Sequence, residues 1–305
     1  MIKKFFLFAL ICSLFSVCVK AKANKKYLAL GDSITAGYLL KDPTNEAFAS
    51  IFAKEYNLEL TNEAVTGDES GELLEKLSNY NIDDYDVITI CIGANDILGE
   101  FIDKFETLSK AELAEFIGNV ENNEEFNKKI DSNLIQLDKN LAEIMSIIKK
   151  GHAQIYMMNI YNPYKNNSIP TIEKIADPYI KKLNKVVEKY AKEVTFINLY
   201  KTFNKEKGII INSQSINTVY DPHPNVEGHK LIAKTIGESY YKHNPTITNI
   251  VLAAVFGIIV VFLETIEVIY TQKKFVVKPK LMDNNDKKEE VNEIGKNNSS
   301  RFIRS

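Results

Sequence analysis

The octapeptide DVITICIG, residues 86–93, constrains the fold more than any other stretch. From Val87 to Ile92 it is apolar except at Thr89, and five of those six residues are β-branched. A strand with one wet face alternates polar and apolar residues, so an unbroken run must be covered on both faces. Covering both faces of a sheet takes two helical layers, with helices alternating with strands along the chain. The sequence has that alternation. KYLAL (26–30), LELTNEA (58–64), AQIYMMNIY (153–161) and VTFINLY (194–200) read as four further strands. Helical spacing falls between them, at Pro43 to Tyr56, around Gly71 to Tyr80, at Phe126 to Lys150 and at Thr171 to Lys192. Val226 to Tyr241 makes a closing helix. The longest of these carries one apolar stripe, including Ile130, Leu134, Leu137, Leu141 and Ile144, the spacing of a single buried face. The expected fold is α/β, an open five-stranded parallel sheet between helical layers. Between Asn95 and Phe126 lies a long acidic insertion, either a lid or a solvated helical excursion.

Both ends of the chain carry apolar runs. Lys3 and Lys4 precede the almost wholly apolar stretch Phe5 to Val19, and Ala21-Lys22-Ala23 offers small residues for cleavage, so residues 1–23 read as a signal peptide. A retained anchor helix is the alternative. A lipoprotein at Cys18 is disfavoured by the bulky Val17 before it. The second run, Ile247 to Tyr270, reaches the roughly 20 residues that cross a bilayer and reads as a transmembrane helix. The alternative is a buried core helix, but no further core element follows to cover it. Glu264 and Glu267 lie three apart on one helical face, placed for the headgroup level or a partner helix. Lys273, Lys274, Lys278 and Lys280 follow closely. Positive charge collects on the cytoplasmic side, so this reading is a single-pass cell-membrane protein with residues 24–245 extracytoplasmic. Residues 271–305 form a cytoplasmic tail with few large apolar side chains, expected to be disordered.

The formal net charge of -2 implies no strong pull toward nucleic acid. Outside the first run Cys91 is the only cysteine, so it has no disulfide partner, and no metal-ligand spacing is visible.

The chemistry collects where strands end, the place where such sheets hold ligands. After the first strand comes GDSITAG, with Asp32 and Ser33; after the second, NEAVTGDES, with Gly67; after the third, GAND, with Asn95. After the fifth comes YDPHPNVEGHKLIA, with Asp221 and His223 before the last helix. Each block alone is weak, because Gly, Asp, Asn and Ser are also plain turn and cap residues. His152, His229 and His243 read as packing or surface residues. Tyr161, Asn162, Pro163 and Tyr164 end the fourth strand at the same sheet edge and are candidates for a substrate pocket.

Taken together, the four blocks resemble the GDSL hydrolases in their SGNH form, over roughly residues 26–241. The resemblance implies a flavodoxin-like α/β/α sandwich and ester hydrolysis through an acyl-enzyme, with no metal or organic cofactor. It assigns Ser33 as nucleophile and His223 as base, and it places Ser33, Gly67 and Asn95 around the oxyanion. The chemistry needs these residue types. A serine hydroxyl is a weak nucleophile until a neighbouring base takes its proton, and an imidazole can take it and later return it. Asp32 more naturally bonds backbone in its own turn. One departure stands out: the family carries an aspartate three residues before the histidine, where this chain has Tyr220. Asp221, two before, is carried over as the orienting acid; a helix-capping role for it, or a histidine–carbonyl pair in its place, stays open. The leading reading is a membrane-anchored GDSL-type esterase or lipase acting on lipid esters, lysophospholipids or acetylated polysaccharide. A non-catalytic carbohydrate- or lipid-binding module and an acyltransferase are the alternatives.

Overall fold

The computed structural model describes residues 24–165, 170–206, 211, 221–243 and 252–271. The expected signal peptide and the tail beyond residue 271 lie outside the described residues. Five parallel strands form one sheet: β1 (Lys26–Gly31), β2 (Glu59–Asn62), β3 (Val87–Cys91), β4 (Gln154–Met158) and β5 (Thr195–Ile197). Their order is β2-β1-β3-β4-β5. β1 and β3 are neighbours, with Tyr27 opposite Val87 and Gly31 opposite Cys91. All five residues of β3 are buried, as its unbroken apolar run requires.

The helices are α1 (Ser33–Ala36), α2 (Pro43–Glu46), α3 (Phe48–Tyr56), α4 (Ser70–Leu77), α5 (Asn95–Thr107), α6 (Lys110–Asn119), α7 (Glu124–Ile148), α8 (Pro170–Val187), α9 (Leu199–Lys205) and α10 (Val226–His243). Helices α4, α5, α7 and α8 pack together as one layer. In the other, α3 and α10 meet the sheet through aromatic edges. The Phe52 ring stands perpendicular to Tyr27 and to Tyr240, at 5.4 Å from each. The α7 stripe is buried along its length, from Phe126 to Ile148.

One expectation needs correction. The helix read over Pro43 to Tyr56 is two helices, broken at the extended Ala47 (φ -66°, ψ 144°). The break frees the Phe48 N–H, which donates to His229 Nδ1 at 3.2 Å across 181 residues of sequence. A tertiary acceptor here overrides a local helical pattern. The acidic insertion is helical, consisting of most of α5, α6 and a short 3-10 turn at Val120–Asn122. Its two ends are fixed to the domain: Asn133 on α7 donates to the Asp96 carbonyl at 3.0 Å, and Tyr179 on α8 donates to the Val120 carbonyl at 3.2 Å.

A separate unit holds one helix, Leu252–Thr271, long and apolar enough to cross a membrane. Its large apolar side chains, Phe256, Ile258 and Phe262 among them, are exposed.

Candidate active site

Strand β1 has to turn sharply as it meets β3. A Cβ on Gly31, at φ 152°, would stand 2.3 Å from Thr35 Oγ1 and 2.4 Å from the Cys91 carbonyl. Only glycine tolerates that approach. Asp32 follows, its Oδ1 accepting from the Ile34 N–H at 3.0 Å, which caps α1 as expected. Ser33 then opens α1 at the β1/β3 boundary, where the strand order reverses and open α/β sheets form their ligand crevice.

His223 reaches the same point from the loop before α10. Its Nε2 lies 2.8 Å from Ser33 Oγ, and its Nδ1 lies 2.6 Å from Asp221 Oδ1. Asp221 Oδ1 also accepts the His223 backbone N–H at 2.8 Å, an Asx turn in which a spacing of two brings the carboxylate alongside the ring. Helix capping falls to Asn225, whose Oδ1 accepts the Gly228 N–H at 3.0 Å. The loop is pinned from the sheet side, where the Tyr161 hydroxyl donates to the Pro222 carbonyl at 2.7 Å. The Tyr161 ring is itself stacked on Phe203 at 4.1 Å. With its proton on Nδ1 against the buried carboxylate, the imidazole presents Nε2 as an acceptor for the Ser33 hydroxyl.

Gly67 and Asn95 line the cavity that opens at Ser33 and His223. Gly67 sits at φ 92°, a conformation glycine adopts readily. Asn95 Nδ2 donates one bond, to the Asp68 carbonyl at 2.9 Å; an amide nitrogen carries two hydrogens, so a second remains. The buried Asp68 carboxylate is held by Lys76 Nζ at 2.7 and 2.5 Å. Next to Asn95, Asp96 turns the other way. It accepts the Ser70 N–H at 3.0 Å and the Ser70 hydroxyl, and Asn140 donates to that hydroxyl at 2.9 Å. The loop carrying Gly67 is therefore tied just after that glycine, at Asp68, to both α4 and α5. Burial raises the Asp96 carboxyl above its ordinary range.

The sequence profile of the GDSL-like Lipase/Acylhydrolase family matches residues 29–231, two thirds of the chain. The chain belongs to the GDSL-like lipase/acylhydrolase family. Solved structures share the fold at low identity. An extracellular lipase from Streptomyces rimosus superposes with a TM-score of 0.57 at 18% identity, covering 70% of this chain and 99% of the lipase. Phospholipase A1 from Streptomyces albidoflavus gives 0.56 at 16% identity, covering 71% and 99%. No curated protein matches the chain by sequence.

In this GDSL-family chain the cavity has a volume of about 290 Å³. Its polar end is Ser33, Gly67, Asn95 and His223; its other walls are α5, α6 and α8, through residues such as Phe101, Phe116 and Tyr179. Tyr161, Pro163 and Tyr164 line it as anticipated, whereas Asn162 is buried and bonds Asp177 at 3.1 Å. Sequence reasoning missed Tyr38, whose ring meets that of His223 at 4.8 Å, and the Lys76–Asp68 pair. The signal for that pair was a basic residue in the last turn of a short helix, eight places after an aspartate.

Two further titratable groups sit near Ser33 and His223. Asp32 is buried with Oδ2 lacking a hydrogen-bond partner among the described atoms; desolvation pushes its carboxyl up to about 7 against the pull of His223. His229 is fully buried, stacks on Phe48, and is pushed down to about 4 by desolvation. It is a packing histidine, as its place on the closing helix suggested. His152 is exposed, 3.6 Å from Asp86.

Proposed function

We propose that this protein is an ester hydrolase that uses Ser33 as nucleophile through an acyl-enzyme. One observation carries the reading: the unbroken line from Asp221 through His223 to the Ser33 hydroxyl at the mouth of an apolar cavity. Ser33 Oγ attacks the acyl carbonyl as its proton passes to His223 Nε2, and Asp221 holds the resulting imidazolium. The carbonyl oxygen becomes an oxyanion that accepts from the Ser33 and Gly67 N–H groups and the second hydrogen of Asn95 Nδ2. The tetrahedral centre collapses, the ester C–O bond breaks, and His223 returns the proton to the leaving alcohol. Water repeats the sequence and frees the acid. Asn95 and the Gly67 loop are joined through Asp68, itself held by Lys76, before substrate arrives, so little reorganisation is needed at the moment of reaction.

The helix Leu252–Thr271 is the membrane anchor in this reading, and the lysines after it keep the C-terminus cytoplasmic. The hydrolase domain is then extracytoplasmic. A fluorophosphonate probe tests the nucleophile: the wild type takes one phosphonyl adduct on Ser33 and Ser33→Ala takes none. An unlabelled wild type, or an equally labelled variant, refutes the reading.

A further inference from the structure

Nothing in the four family blocks says whether the acyl group is an acetyl or a long chain. We infer that the site takes an unbranched acyl chain of about eight to ten carbons, its far end set by Phe116 and Ile117 of α6. The inference rests on the ester-hydrolase reading of Ser33.

The cavity is graded in polarity. Hydrogen-bonding groups converge at the Ser33 end, and beyond them the walls are carbon: Phe101, Phe116 and Ile117 from the insertion, with Tyr179, Ile180 and Leu183 from α8. An ester of a fatty acid has the same gradient, a polar carbonyl followed by methylenes. An acetyl group would fill the polar end alone and leave those rings against water. A sugar hydroxyl turned toward that wall would lose its hydrogen bonds with no replacement. Size gives the length. The cavity holds about 290 Å³, and a methylene occupies roughly the ~30 Å³ of a liquid water, so about nine groups fit. Helix α6 supplies a second, independent reason. It has no buried residue, although Phe116 and Ile117 point into the cavity. A ten-residue helix with so little packing of its own gains its burial when an apolar occupant lies beneath it.

The test uses the full chain in nanodiscs and alkyl fluorophosphonates from methyl to dodecyl, reading the second-order rate of Ser33 labelling by mass spectrometry. Rates rise about fourfold per added carbon, the worth of one buried methylene, and level off near eight to ten carbons. Ile117→Phe shortens the chain at which the rise stops. Phe116→Ala lengthens it. Both residues are only half-buried, so at least one variant keeps the fold. A flat profile, a maximum at methyl, or a break point that moves in neither variant overturns the inference while Ser33 labelling still supports the hydrolase. Failure of every probe to label Ser33 overturns both.

Discussion

Around Ser33, the groups of the proposed machinery are each backed by another residue. Asp221 holds the ring of His223, Tyr161 holds the carbonyl beside it, and Asp68 takes one hydrogen of Asn95 while Lys76 holds Asp68. At the Phe116 end of the same cavity the contacts are aromatic edges, Phe116 on Phe126 at 5.0 Å and Phe101 on Tyr179 at 5.1 Å. Hydrogen bonds fix direction, and catalytic groups must be held to about half an ångström. Apolar contact is non-directional and tolerates changes of shape. The comparison says that changes at the first end cost rate, and changes at the second redirect specificity.

The sharpest way to break it is at the acid. Asp221→Asn keeps the volume but removes the charge and favours the wrong imidazole tautomer, so kcat for ester hydrolysis falls about 10⁴-fold; His223→Ala falls at least as far. A tenfold change or less would mean that Asp221 merely shapes its loop. Asn95→Ala removes one donor of the proposed oxyanion hole and lowers kcat about 10²–10³-fold with KM little changed. Next comes the clamp behind it. Lys76→Met leaves the buried Asp68 carboxylate unpaired and loosens the Gly67 loop, lowering kcat about 10- to 100-fold. Lys76→Arg restores most of it. A loss shared equally by kcat and thermal stability, with no rescue by arginine, would make the pair structural only.

Smallest is a pH effect on stability, measured by thermal unfolding of the full chain. His229 is neutral in the fold down to pH about 4, whereas an unfolded histidine takes its proton near 6.5. Its contribution is complete above pH 6.5 and is lost as pH falls toward 4. Asp32 has the opposite sign. Raised to about 7, it keeps a proton that the unfolded chain releases above pH 3.8, so stability falls as pH rises toward 7. His229→Asn, which can still accept the Phe48 N–H, removes the acid-side loss, and Asp32→Asn removes the loss toward neutrality. A variant whose pH profile matches the wild type would contradict the corresponding assignment.

The sheet was legible because a buried parallel strand leaves no polar alternation, as in Val87 to Cys91. The strand-end blocks were legible because turn residues after such strands have one sheet edge to occupy. What stayed hidden depends on partners far along the chain. The break at Ala47 answers to His229, and the cavity wall depends on how α6 meets α7 and joins α8 in lining one cavity, which no local spacing encodes. Asp221 lay between these cases. Its spacing departs from the family pattern, and only the turn through Pro222 shows that its carboxylate meets the ring.

The most direct measurement is to quench a decanoyl ester reaction within the first turnovers and locate the acyl group by peptide mass spectrometry. The account predicts a decanoyl adduct on the peptide containing Ser33, formed at a rate no slower than turnover. Steady turnover with no adduct at that serine, or with the adduct elsewhere, would contradict it.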